Sequence, residues 1–128
     1  KNIKINHMVL KTSSYTNFEQ SNQIHIDDMS NLVKNISQQD KLLIIDDIFD
    51  TGRTYAAVMD ALVEECGENH PSEIRVAVPW YKPERNKTKY IPDYSIHTTD
   101  QWVVFPHELD ALNDQELAVH RPIVRNEK

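Results

Sequence analysis

Residues 42–55 read LLIIDDIFDTGRTY: four large apolar residues run straight into two adjacent carboxylates, and a third carboxylate, a glycine and two hydroxyls follow within eight residues. An unbroken apolar run of this length is the pattern of a central parallel strand covered on both faces. Asp46 and Asp47 then fall at the carboxyl end of that strand, and residues 50–54 form the turn into the next element. That element is a helix over residues 54–66, because Tyr55, Val58, Met59, Leu62 and Cys66 make one apolar stripe and Gly67 is placed as a C-terminal cap.

Working outward, residues 73–80 alternate, with Ile74, Val76, Val78 and Trp80 expected on one face of a strand. Residues 94–98 and 102–105 read as further short strands. Upstream, Asp27 or Asp28 is placed to cap a helix whose Met29, Leu32, Val33 and Ile36 share a face. Before it, residues 23–27 alternate as a short strand, residues 7–14 with Met8, Val9 and Leu10 read as a buried strand, and the polar residues 13–21 read as a long loop. Strands alternating with helices predict an α/β fold, a mostly parallel sheet flanked by helices, with ligands at the carboxyl ends of the strands. There is no internal repeat and no linker rich in Pro, Gly or Ser, so residues 1–128 are read as a single domain.

Composition narrows the function class. No apolar run approaches the ~20 residues needed to cross a bilayer, and no N-terminal stretch has the pattern of a secretory signal. The lone Cys66 has no partner in the sequence for a disulfide, which fits a cytoplasmic protein. A net charge of −6 argues against a general nucleic-acid binder. If phosphate is bound, it is bound locally, and the turn at residues 50–54 is where that is expected. The first turn of a helix offers unpaired N–H groups and the positive end of its dipole, a glycine allows close backbone approach, and Thr51 and Thr54 add hydroxyls. Asp46 and Asp47, acceptors only when ionised, suit the two hydroxyls of a ribose or a hydrated divalent cation. A sugar phosphate satisfies all of these parts.

With those residues on the page, residues 42–54 closely resemble the phosphoribosyl-pyrophosphate (PRPP) binding motif of type I phosphoribosyltransferases: apolar strand, two acids, two apolar residues, then Asp-Thr-Gly-X-Thr. The stretches Trp80-Tyr81-Lys82-Pro83, Pro92-Asp93-Tyr94 and Trp102-Val103-Val104-Phe105-Pro106 resemble the base-binding hood of the xanthine–guanine and hypoxanthine members, and Ser14-Tyr15 is similar to the pair in the mobile loop that closes over their active site. The resemblance implies a Mg2+-dependent enzyme of purine salvage that takes PRPP and a 6-oxopurine to a nucleoside monophosphate and pyrophosphate. It implies Asp46 and Asp47 as the ribose-binding acids, and Asp50 as the catalytic acid near purine N7. Asp50, Thr51, Gly52, Arg53 and Thr54 become the 5′-phosphate cradle. Lys82 becomes the donor to the 6-oxo group, Trp102 a stacking platform, and the Val103 backbone the contact at the base's 2-position. On the metal side it implies Asp46, Asp47 and Glu108. It also implies a homodimer or higher homo-oligomer.

Family members carry a glycine-bearing pyrophosphate loop after the first strand of the sheet. Only Gly52 and Gly67 are present, and only six residues precede His7, so an N-terminal strand, loop and helix are expected to be missing from this sequence. That absence favours a second reading, a non-catalytic PRPP- or nucleotide-sensing regulator on the same fold; a base pocket at Lys82 and Trp102 favours the enzyme. The same two residues argue against a pyrimidine-handling relative. Asp-Thr-Gly also occurs in aspartic proteases, but those are all-β with glycine-rich flaps, and a helix follows the motif here. The histidines at 7, 25, 70, 97, 107 and 120 show no metal-ligand spacing, and Cys66 reads as a small core residue.

Overall fold

The computed structural model describes residues 5–16 and 22–105. Strands β1 (Thr12–Thr16) and β2 (Asn22–Ile26) form an antiparallel pair, from Thr12 opposite Ile26 to Thr16 opposite Asn22. Helix α1 (Ser30–Asn35) follows, then β3 (Lys41–Ile45), the short β4 (Ile48–Phe49), helix α2 (Arg53–Cys66), β5 (Glu73–Tyr81) and β6 (Tyr94–Thr98). Strand β5 is the middle of the second sheet, pairing in parallel with β3 and β4 on one side and β6 on the other.

The helices form where the apolar periodicity puts them, and both pack on one face of that sheet. Met29 and Leu32 meet Val58, Leu62 and Cys66 in one buried cluster, against which Leu42, Ile44 and Ile74 pack. Asp28 supports the start of α1: its Oδ1 accepts from the Ser30 N–H at 2.8 Å, one position ahead of the capping residue Met29. The Ser30 side chain first, and this amide bond second, hold the Asp28 carboxyl below its ordinary pKa.

The break between β3 and β4 has a specific cause. Along both strands the partner lies 32 residues on, from Lys41 opposite Glu73 to Phe49 opposite Tyr81, so the two segments are one strand interrupted at Asp46 and Asp47. The Asp46 N–H still donates to the Ala77 carbonyl at 3.2 Å, but the next rung needs an N–H from residue 79, which is a proline. When pairing resumes, Lys82 N–H donates to the Phe49 carbonyl at 2.9 Å, one residue out of phase with the ladder before the break. Phe49 and Tyr81 therefore join Val76 and Val78 in a second cluster with Tyr55 and Tyr90.

Five expectations change. Trp80, expected on the core face with Val76 and Val78, belongs to neither cluster because the phase shift at Pro79 moves it off; it stacks on His97 with ring centroids 4.6 Å apart. The strand expected over residues 7–14 begins only at Thr12, where pairing with β2 starts, and Val9 is 92% exposed; residues 13–16 of the expected loop are strand, while 17–21 lie outside the described residues. Residues 102–105 form no strand, since Asp100 Oδ1 accepts from the Glu84 N–H and Thr99 Oγ1 from the Gln101 N–H, which turns the chain off the sheet after β6. Among the described residues, β3 lies at a sheet edge and is covered on one face only, with Leu43 and Ile45 half or more exposed.

Candidate functional site

The carboxyl ends of β3, β4 and β5 bring the acids together with Lys82. Release from the ladder at Pro79 leaves Asp46 and Asp47 side by side, and the Asp47 N–H donates to Asp46 Oδ1 at 2.9 Å. Loss of hydration pushes the Asp46 carboxyl above its ordinary pKa and the charge of Asp47 adds to the rise, against the opposing hydrogen bond from the Asp47 amide.

Asp50 follows one turn later between two cations. Arg85 Nε lies 2.6 Å from its Oδ1, and Lys82 Nζ lies 3.6 Å from its Oδ2. Lys82 is the buried charged residue of the described chain, at 1% exposure. Its distance from Asp50 exceeds a good hydrogen bond, so the acid does not capture the ammonium; among the described residues the buried oxygen left without a hydrogen-bond partner is Asp50 Oδ1. Trp102 lies across Lys82, with the ammonium 5.5 Å from the ring centroid, and is 73% exposed, so it is not core. Val103 beside it is half-buried.

The turn into α2 is built around Gly52, which caps the helix in the left-handed region at φ 76°. A Cβ there would come within 2.5 Å of Thr88 Oγ1 and 2.8 Å of both Asn86 Oδ1 and the Phe49 ring. No side chain caps α2, so the expected cradle at Thr51, Arg53 and Thr54 presents a bare helix N-terminus, with only a long 3.4 Å bond from Arg53 N–H to Thr51 Oγ1. The loop that follows β5 is fastened to this turn. Lys87 N–H donates to the Thr51 carbonyl at 2.9 Å, and Asn86 is bound by the Thr88 amide and hydroxyl on one side and donates to the Tyr90 carbonyl on the other.

Of the remaining expected site residues, Ser14 and Tyr15 have their backbone in β1, paired with β2, rather than in an irregular loop. Glu108 lies outside the described residues. Arg85, Asn86 and Thr88 were not singled out in the sequence. Nothing in their spacing marks them, and only the folding of the loop over Gly52 reveals them. Cys66 is buried and its thiol is pushed up by that burial, as a core residue rather than a nucleophile.

Comparison with known proteins follows the same lines. A model of the phosphoribosyl transferase domain matches residues 5–113. No curated protein matches. Among solved structures, the chain is similar to a purine phosphoribosyltransferase from Pyrococcus horikoshii Ot3, at 26% identity and a TM-score of 0.53, over 76% of this chain and 57% of that one. It is also similar in fold to a hypoxanthine phosphoribosyltransferase from Staphylococcus aureus, at 21% identity and a TM-score of 0.55, over 70% and 46% of the two chains. A third, a hypoxanthine-guanine phosphoribosyltransferase from Bacillus anthracis, gives 23% identity and a TM-score of 0.52, over 70% and 49%. The chain thus spans about half the length of the solved relatives it matches.

Proposed function

This chain belongs to the phosphoribosyl transferase domain family, with the parallel sheet and packed helices of the type I fold, and from that premise we propose that it transfers the 5-phosphoribosyl group of PRPP to a 6-oxopurine, yielding a nucleoside monophosphate and pyrophosphate. The observation that carries the base class is Lys82. A buried ammonium 3.6 Å from Asp50 and beneath an exposed tryptophan face is a donor placed to meet an acceptor on a stacked base. The 6-oxo group of hypoxanthine, guanine or xanthine accepts; the 6-amino group of adenine only donates and leaves Lys82 unmatched.

In this reading Trp102 stacks on the purine and the Val103 backbone meets its 2-position. The helix N-terminus at residues 50–54 takes the 5′-phosphate. Asp46 and Asp47 accept from the ribose hydroxyls and stabilise positive charge developing at the sugar C1, and Asp50 accepts the proton at N7. Closure of the Ser14-Tyr15 segment excludes water from the reacting sugar. Lost hydration, and after it the charge of Asp47, raises the Asp46 pKa, and a divalent cation would favour its charged form. Mg2+ is held by carboxylates and completes its shell with water and substrate oxygens. Asp46, Asp47 and Glu108 would hold it, and when bound it neutralises charge on the departing pyrophosphate. Cytoplasmic purine salvage, by a homo-oligomer, is the setting this chemistry fits.

A thermal-shift titration with Mg2+ against IMP, GMP, XMP, AMP and UMP tests the assignment. A ligand at 100 times its dissociation constant adds about 2.7 kcal/mol of stability. Selective stabilisation by IMP, GMP or XMP is expected; equal stabilisation by AMP, or no response to any 6-oxopurine nucleotide, overturns the base assignment.

A further inference from the structure

Resting on that reading, we propose that Arg85 is a positioning residue that keeps Lys82 available to the base, by holding Asp50 away from it. Asp50 has two cationic neighbours and they are not equivalent. Arg85 Nε is 2.6 Å from Oδ1, whereas Lys82 Nζ is 3.6 Å from Oδ2. Arg85 is the nearer cation, an ion pair without hydrogen-bond alignment since Oδ1 has no hydrogen-bond partner among the described residues, and the lysine is left near the acid without being captured by it. A buried ammonium bound tightly to Asp50 would have to break that pair before it could donate to a purine oxygen, and the cost would appear as lost base affinity.

The position of Arg85 is built. It ends the 3-10 turn Pro83–Arg85, whose backbone is closed by Arg85 N–H on the Lys82 carbonyl and Asn86 N–H on the Pro83 carbonyl. The turn is fastened at one end by Glu84 N–H on Asp100 Oδ1 at 3.1 Å and at the other by Lys87 N–H on the Thr51 carbonyl at 2.9 Å. Asp50 and Thr51 are adjacent, so the guanidinium is tied by backbone to the same turn whose carboxylate it holds. Because Arg85 is half-exposed while Lys82 is buried, the arginine stays hydrated and does not need the acid for its own solvation.

The test is calorimetric binding of IMP and of ribose 5-phosphate, with Mg2+, to the unaltered chain and to Arg85→Ala, Arg85→Lys, Asp50→Asn and the double variant Asp50→Asn/Arg85→Ala. Ribose 5-phosphate samples the sugar-phosphate contacts without the base. Arg85→Ala is expected to weaken IMP about tenfold while leaving ribose 5-phosphate within about twofold, with Arg85→Lys restoring most of the loss. Once Asp50 is neutral there is nothing to capture Lys82, so Arg85→Ala in the Asp50→Asn background is expected to cost little further. Equal weakening of both ligands, or the same loss in the Asp50→Asn background, assigns Arg85 a merely structural role and overturns the proposal. Unchanged IMP affinity in Arg85→Ala does so too and leaves the 6-oxopurine reading intact. Failure of the unaltered chain to bind IMP while it binds ribose 5-phosphate removes the base reading and this inference together.

Discussion

The two ends of the β3–β5 pair carry similar residue types arranged to opposite ends. At the start of the strands charges of opposite sign meet: Lys41 Nζ is 2.7 Å from Glu73 Oε2, Arg75 Nε is 2.9 Å from Glu73 Oε1, and Arg75 also donates to the Tyr94 hydroxyl. Those partners hold the Glu73 carboxyl below its ordinary pKa. At the finish, Asp46 and Asp47 stand together with the Asp46 pKa raised, and the nearest cation to Asp50 from the buried side is a lysine at a loose 3.6 Å. One end pairs opposite charges at the surface, while the other sets two adjacent acids and a buried lysine at the ends of the strands, the arrangement expected where ligand chemistry belongs. Helix α2 links them, from Gly52 at the acid end to Gly67 at the other.

The largest effect should come from those two glycines. Both have positive φ, yet a Cβ at Gly52 meets Thr88, Asn86 and Phe49, whereas one at Gly67 meets nothing within 4 Å. Gly67→Ala should cost about 1–2 kcal/mol, the left-handed backbone penalty alone. Gly52→Ala adds overpacking and should cost about 3 kcal/mol, read by urea denaturation, with loss of nucleotide binding as the loop over the turn is displaced. Equal costs would mean that the loop is not seated on the turn.

Lys82→Met comes next. Removing a buried charge of similar length should leave stability unchanged or slightly raised, while affinity for IMP falls roughly 10- to 100-fold, the worth of a charged hydrogen bond. AMP binding should be little affected. A drop in melting temperature with no change in IMP affinity would place Lys82 on the structural side of the comparison.

The smallest effects are the pH dependences of the two ends, and they have opposite sign. Glu73 has a lowered pKa, so its contribution is present above its ordinary value of 4.5 and is lost as pH falls through the folded value. Asp46 has a raised pKa, so the folded state holds its proton more tightly, and stability falls as pH rises from the ordinary value of 3.8 through the folded value. Melting curves from pH 3 to 7 should therefore show Glu73→Gln less stable than the parent at neutral pH, and Asp46→Asn more stable by about 1–2 °C, both differences shrinking in acid. A destabilised Asp46→Asn at pH 7 would show that the hydrogen bond from the Asp47 amide outweighs the loss of hydration at Asp46.

Much of the frame was legible because local patterns coincide with burial. Helix α2 was expected over residues 54–66 and runs Arg53–Cys66; β6 was expected over residues 94–98 and is Tyr94–Thr98. The strand, acid pair and glycine turn of residues 42–55 lie in the order read from them. Trp80 was misplaced because its face depends on a ladder phase that shifts across a proline in the partner of the acid pair, and alternation within one strand cannot register a change imposed by pairing.

Periodicity, an apolar run ending in acids and a glycine before a helix were enough to determine the α/β order of elements and the location of the glycine turn into α2, since these are consequences of local propensity and of which faces avoid water. Tertiary structure alone decided that Lys82 is buried and Trp102 exposed, that Arg85 lies nearer Asp50 than Lys82 does, and that the loop over Gly52 joins the two halves of the candidate site. The reason is physical: charge pairing and burial depend on distances between side chains far apart in sequence, and those distances exist only once the sheet has brought the ends of its strands together.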